Sequence, residues 1–256
     1  MPKPNFVYFL ILASLSGYVE AHWKTLNIVN KCATPIWPGL APNAGHPVPA
    51  GGGFMVGSGQ VARVVVPWTW QGRIWGRTGC NFSATGMGTC MTGDCDGKLH
   101  CSGSIGKPPA SLVQFTFQPD GKPAYYDVSL VDGFNVAVAV KGGGCSTAGC
   151  GADVNRVCPS ELQVRSDGGS GSVVACKSAC LAFDLDRFCC RNEFSSSATC
   201  SPSVYSRMFK DACPAAYSYA FDSPPPLFTC TSDAFTLTFC PPKKSMQLPS
   251  LSVASL

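Results

Sequence analysis

Beyond its first 21 residues the chain has no apolar run approaching the ~18 residues that mark a membrane-spanning helix. It also lacks any Lys/Arg run of the length that marks a nucleic-acid-binding arm. The first absence predicts a processed chain without a transmembrane segment, and the second argues against a nucleic-acid partner. Glutamate and histidine are scarce, at three each: Glu20, Glu161 and Glu193; His22, His46 and His100. A C-x-x-C unit is missing, so the usual redox motif is absent. No cofactor and no metal are expected.

The one apolar stretch sits at the start, where Lys3, then FVYFLILASLSGYV (6–19), then Val-Glu-Ala (19–21) follow the order of a secretory signal peptide. Cleavage is predicted to leave His22 at or near the new N-terminus. The remaining 235 of 256 residues keep 18 basic and 14 acidic side chains, a formal charge of +4 as in the full chain. That balance is mildly basic.

What is abundant is cysteine. All sixteen lie after residue 21, an even number in a chain read as secreted, and predict eight disulfides. Sequence alone leaves about two million pairings open. Each bridge contributes roughly 2–4 kcal/mol by restricting the unfolded chain, without simple additivity. The densest stretch, GMGTCMTGDCDGKLHC (86–101), combines thiols, carboxylates and an imidazole. Its C-x4-C-x5-C spacing suits small disulfide-closed loops better than a metal or redox site. Adjacent Cys189 and Cys190 must diverge to different partners.

Strand signals dominate the first half: TLNIVNKC (25–32), ARVVVPW (62–68), LVQFTFQ (112–118) and FNVAVAV (134–140). FTLTFC (235–240) adds a strand near the C-terminus. In LVQFTFQ the residues Val113, Phe115 and Phe117 take one face, and Gln114, Thr116 and Gln118 the other. Many short strands between turns predict a β-sandwich or barrel. Helical spacing is read in VVACKSACLAF (173–183), where Cys176 and Cys180 stand at i, i+4, and in SVYSRMFKDAC (203–213). DGGSGS (167–172) reads as a flexible loop.

The run Gly86, Gly88, Cys90, Thr92, Gly93, Asp94, Cys95, Gly97, Cys101 resembles the signature of thaumatin-like proteins, the osmotin and pathogenesis-related group. The similarity extends through IVNKC…IWPG (28–39), GRIWGRTGCNF (72–82), PPASLVQFTF (108–117), YDVSLVDGFN (126–135), CPSELQV (158–164) and CPAAYSYAFD (213–222). The resemblance implies a mainly β protein. A β-sandwich core would comprise residues 22–77, 111–151 and 214–242, with a small stapled loop region at 78–110. A disulfide-rich, partly helical lobe would cover 152–213. The leader is 1–21, and the tail 243–256 is expected to be disordered, or to act as a vacuolar-sorting extension. The family pairing, carried over, joins Cys32–Cys240, Cys80–Cys90, Cys95–Cys101, Cys145–Cys230, Cys150–Cys213, Cys158–Cys176, Cys180–Cys189 and Cys190–Cys200.

The resemblance also implies a cleft built in antifungal members from one Arg, one Glu and three Asp. Here these positions are matched to Arg77, Asp127, Asp132 and Asp222, with Gln114 standing where the family has Glu. Gln114 can position a sugar hydroxyl but cannot act as acid, base or nucleophile. Glycoside hydrolysis needs two carboxyl groups, so any catalysis would use two of Asp127, Asp132 and Asp222. Asp127 and Asp132 have opposite strand parity, so sharing a cleft requires a bend, placed at Asp132-Gly133.

The expected protein is thus a secreted, monomeric defence protein of the apoplast that is antifungal by binding cell-wall β-1,3-glucan or by perturbing a membrane surface. The alternatives are a weak endo-β-1,3-glucanase, or a taste-active, allergen-like or developmental relative without cleft function. Of Trp68, Trp70 and Trp75, at least one is expected in the core. The triple proline 224–226 is expected to stiffen a cleft wall. Asn81-Phe-Ser83 is a glycosylation sequon. A copper site at an N-terminal His22 would need a second histidine, His46 or His100.

Overall fold

The computed structural model describes residues 22–119, 121–166 and 171–242. The predicted leader, the C-terminal tail and most of the 167–172 loop lie outside them. The strands are β1 (Trp23–Asn30), β2 (Trp37–Pro42), β3 (Val61–Pro67), β4 (Gln71–Arg77), β5 (Asn81–Phe82), β6 (Gly88–Thr89) and β7 (Leu112–Thr116). They continue as β8 (Ala124–Ser129), β9 (Val138–Gly142), β10 (Ala148–Gly149), β11 (Gln163–Arg165), β12 (Val173–Cys176), β13 (Phe228–Cys230) and β14 (Ala234–Phe239). The helices α1 (Ala179–Phe183), α2 (Asp186–Cys189) and α3 (Val204–Ala212) fall in the cysteine-rich segment.

The strands build a mainly β fold of two five-stranded sheets, ordered β10-β9-β14-β1-β3 and β13-β8-β7-β4-β2. Alternation along each strand sends one set of side chains inward. Leu26, Ile28, Val64, Val66, Val140 and Leu237 meet Leu40, Ile74, Val113, Phe115, Tyr126 and Val128 in one continuous core. Phe235 anchors it, with ring centroids 5.4 Å from Phe115 and Phe117 and 5.5 Å from Tyr126. Fully burying one such side chain contributes about 1.5–3 kcal/mol.

The first and last strands, β1 and β14, run parallel side by side, with Asn30 opposite Phe239. Cys32–Cys240 ties the chain just beyond that pair. The remaining bridges are Cys80–Cys90, Cys95–Cys101, Cys145–Cys230, Cys150–Cys213, Cys158–Cys176, Cys180–Cys189 and Cys190–Cys200. No cysteine is left free.

Two strands escape the propensity pattern because they carry glycine and proline. In WPGLAP (β2), Gly39 faces the Trp75 ring, and an added Cβ would lie 2.3 Å from its Cζ2 atom. In QGRIWGR (β4), a Cβ on Gly72 would lie 2.5 Å from the Trp70 Cζ2. These glycines make room for indoles rather than breaking strands. Both Trp70 and Trp75 are fully buried.

The single helix expected over 173–183 is instead a strand followed by a helix. Val173–Cys176 pairs with Gln163–Arg165, suiting the β-branched Val173 and Val174. The helix begins only after Ser178, whose side chain accepts a hydrogen bond from Leu181 N. Cys176 and Cys180 therefore serve different elements and different bridges. Residues 134–137 also depart from the strand expected over 134–140, which starts only at Val138. The Asn135 amide donates to Gly76 O and Thr92 Oγ1, while Phe134 pairs with Cys176. The expected helix after Ser203 is α3, opened by a capping box between Ser203 and Ser206.

Candidate functional site

The outer face of the β13-β8-β7-β4-β2 sheet is where the sequence-named residues gather. Register aligns Arg73 of β4, Gln114 of β7 and Asp127 of β8 in one row across three strands. Gln114 Nε2 donates to Asp127 Oδ1 at 3.0 Å. Asp127 is buried, and desolvation pushes its carboxyl up to about 6, with the Gln114 hydrogen bond opposing that shift. Arg73 is half-buried, and among the described residues its guanidinium has no hydrogen-bond partner. The row thus offers a cation, an amide and a carboxyl with a raised proton affinity.

Arg77 does not belong to this row. It lies on the same face of β4, but the stapled loop region covers it completely. Its guanidinium donates to the carbonyls of Trp37 (3.0 Å), Lys98 (2.8 Å) and Leu99 (2.8 Å), with a longer bond to Pro38 (3.3 Å). Burial lowers its pKa to about 10, with nearby Asp94 pulling the other way. Asp94 itself accepts from Cys90 N and Gly97 N at 2.7 Å each, so the carboxylate of the signature loop also organises backbone. The cysteine-rich stretch 86–101 therefore clamps onto β2 and β4 through Arg77. The half-buried cation on this face is Arg73, four residues earlier.

Asp222 approaches from the segment after α3. Its Oδ2 accepts from Ser218 N (2.9 Å), Ser218 Oγ (3.1 Å) and Lys210 Nζ (3.1 Å). Tyr217, bridged to Ser129 at the end of β8, connects the two acidic positions. Burial first, then the charges of Asp127 and Asp222, raise its phenol pKa. Both aspartates thus act on one half-buried tyrosine. Asp127 Oδ2 and Asp222 Oδ1 have no hydrogen-bond partner among the described residues and are not sealed from solvent. Each acid therefore keeps one oxygen unpaired and not fully sealed.

Asp132 sits in the turn after β8, where Gly133 adopts φ +90° and its N–H donates to Leu130 O. Its side chain is exposed, and its backbone carbonyl accepts from Ala110 N. The triple proline leads from Asp222 into β13 (Phe228–Cys230). Asn81 is exposed in the small hairpin closed by Cys80–Cys90. The His22 ring packs on Trp68 at 4.8 Å. Among the described residues no group of three or more His, Cys, Asp or Glu could hold a metal ion.

A stability signature follows for Asp127. Its folded pKa exceeds the usual value, so the folded state binds the proton more tightly than the unfolded chain. Its contribution is full below about pH 4 and is lost as pH rises through about 6. Asp127→Asn is expected to stabilise the protein at pH 7 by on the order of 2–3 kcal/mol. The gain should vanish at pH 3. Denaturant melts at the two pH values check this, and destabilisation at pH 7 would contradict the assignment.

Three features were not singled out from sequence: Arg73, Tyr217 and Lys210. Arg73 could have been placed opposite Gln114 only by knowing the β4–β7 register, which joins strands separated by the whole stapled region. Lys210 could have been noticed as the basic residue in the last turn of α3.

Comparison with known proteins gives a consistent picture. The Thaumatin family model matches residues 30–241. A pathogenesis-related thaumatin-like protein 3.5 of Cryptomeria japonica is 45% identical over 91% of this chain and 96% of its own. A glucan endo-1,3-beta-glucosidase of Prunus avium is 40% identical over 94% of this chain and 100% of its own. Among solved structures, a laminaripentaose-producing beta-1,3-glucanase in complex with laminaritetraose superposes with a TM-score of 0.55. It is 12% identical over 84% of this chain and 98% of its own, a likeness of fold alone.

Proposed function

This chain belongs to the thaumatin family, and from that premise we propose that it is a secreted plant-type defence protein that binds β-1,3-glucan along the Arg73–Gln114–Asp127 row. The observation that carries the reading is the row itself. It places a half-buried cation, an amide and a carboxyl side by side on the outer sheet face, with Tyr217 and Asp222 adjoining. Sugar hydroxyls both donate and accept. A guanidinium and an amide N–H supply donors, while two unpaired carboxylate oxygens and the amide oxygen supply acceptors. A tyrosine ring adds an apolar face with a polar tip. Relatives named as pathogenesis-related and as a glucan endo-1,3-beta-glucosidase support the substrate class.

Secretion fits a chain whose sixteen cysteines all pair. Among the described residues no helix is long and apolar enough to cross a membrane.

Incubation with insoluble β-1,3-glucan, with reducing sugar measured in the same tube, tests the reading. Binding without release of reducing ends is expected. Asp127→Asn, Asp132→Asn or Asp222→Asn should weaken retention by several-fold, since each removes a charge-assisted acceptor. Unchanged retention in all three would sink the cleft assignment.

A second reading, slow hydrolysis, is favoured by one observation: a carboxyl raised to about 6 can hold a proton near neutral pH, as a general acid must. In that case the second carboxyl would be Asp222 or Asp132, and Gln114→Glu should raise turnover by restoring a third ionisable group. Loss of fungal toxicity without loss of glucan retention would direct attention to membranes instead.

A further inference from the structure

The β10-β9-β14-β1-β3 sheet turns its outer face away from the core, and it carries a different kind of row. Register aligns Arg63 of β3, Asn27 of β1, Thr236 of β14 and Lys141 of β9. Three inter-strand steps separate the two cations, about 14 Å. Lys31, just past β1, joins Lys141, Thr147, Thr236 and Thr238 in lining a groove of about 250 Å³ at the β9 end of this row.

The charge on this face is of one sign. None of the outward positions of β1, β3, β9 and β14 carries a carboxylate. Asp233, at the start of β14, is engaged by Lys24 at 2.6 Å. The side chains of Lys31 and Lys141 have no hydrogen-bond or ion-pair partner among the described residues. Arg63 makes one side-chain bond, from Nη2 to Thr25 Oγ1 at 3.3 Å.

We infer that this face binds a linear carboxylated polysaccharide, a polyuronate, laid across the strands from Arg63 to the Lys31–Lys141 groove. Separated cations suit a chain whose negative charges are spaced by whole sugar rings. The neutral Asn27, Thr236 and Thr238 between them suit hydroxyls. Duplex nucleic acid presents a charge about every 1.7 Å and would call for a denser basic cluster. Single strands would call for aromatic platforms between the cations, and none lies there. The exposed apolar side chains Val61 and Val65 flank Arg63 on β3, and Trp23 stands at the start of β1, so none lies between the cations and the row itself is not an insertion surface for lipid.

The test uses the secreted full chain on immobilised polygalacturonate, with the fully methyl-esterified polymer as the uncharged match. Retention is expected on the acid form only, and should fall steeply between about 0.02 and 0.2 M salt as screening shortens. Lys141→Glu should weaken it about five- to ten-fold, Arg63→Glu similarly, and Lys141→Gln by less, because exposed charge pairs are individually weak. Asp127→Asn, on the opposite sheet, should leave it unchanged. These residues are exposed, so an unaltered near-ultraviolet circular dichroism spectrum is expected. Equal retention of the charge-reversed variants would overturn the assignment. So would equal retention on the esterified polymer, or competition by duplex DNA or phosphatidylserine vesicles as strong as by free polygalacturonate.

Discussion

Arg77→Ala is expected to cost the fold on the order of 3–5 kcal/mol, because it unpairs several carbonyl acceptors and leaves a cavity. The substitution would leave the carbonyls of Trp37, Lys98 and Leu99 without their donor, at the seam where the stapled region meets β2 and β4. It would also empty the volume of a large side chain that is 0% exposed. Lysine cannot rescue the site, because one ammonium on a flexible stem cannot reproduce a planar fork aimed at carbonyls from two directions. Unfolding in denaturant under non-reducing conditions measures the effect. A loss below about 1 kcal/mol would show that the clamp contributes little. The contrast with Arg73→Ala is the informative part. Arg73 has no hydrogen-bond partner among the described residues, so its truncation should stay within about 0.5 kcal/mol of the parent.

The second large effect concerns the bridge that joins the ends of the fold. Cys32 and Cys240 are 208 residues apart, against 6 for Cys95 and Cys101. Loop-closure entropy then assigns about 5 kcal/mol to the long bridge and about 2.4 kcal/mol to the short one. Replacing both Cys32 and Cys240 by serine should therefore cost roughly twice as much as the same change at Cys95 and Cys101. The parallel β1–β14 pair sharpens the expectation, since the bridge closes directly beyond the register Asn30–Phe239. Thermal melts of the two double variants decide it. Equal losses would mean that local native contacts, not chain entropy, set the contribution of these bridges.

The sandwich was legible in the sequence because strands β1, β3, β7 and β14 are β-branched, aromatic and alternating. Strands β2 and β4 were hidden by Pro38 and Pro42 and by Gly39 and Gly72, the two glycines making room for Trp75 and Trp70. Such glycines report a tertiary contact, and no local pattern distinguishes them from breakers. The split of 173–183 into strand and helix was hidden for a related reason. Cys176 and Cys180 stand at helical spacing, yet the partner strand Gln163–Arg165 claims the first of them.

The site was partly legible. Asp127, Asp222 and Gln114 could be named from the motifs around them, and the structure sets Gln114 beside Asp127, with Tyr217 feeling both acids. The arginine could not be chosen from sequence. Arg73 and Arg77 share strand parity, and only the stapled region decides which one meets solvent. That region buries Arg77 completely and leaves Arg73 half-buried. The cysteine-rich stretch 86–101 thus shapes the candidate site by covering one arginine and holding it through backbone carbonyls.

The most direct test of this account is a calorimetric titration of Arg73→Ala with a soluble β-1,3-glucan tetrasaccharide, beside the parent protein. The account predicts at least a five-fold weaker Kd, about 1 kcal/mol, with an unchanged melting temperature. An unchanged Kd for the folded variant would contradict it.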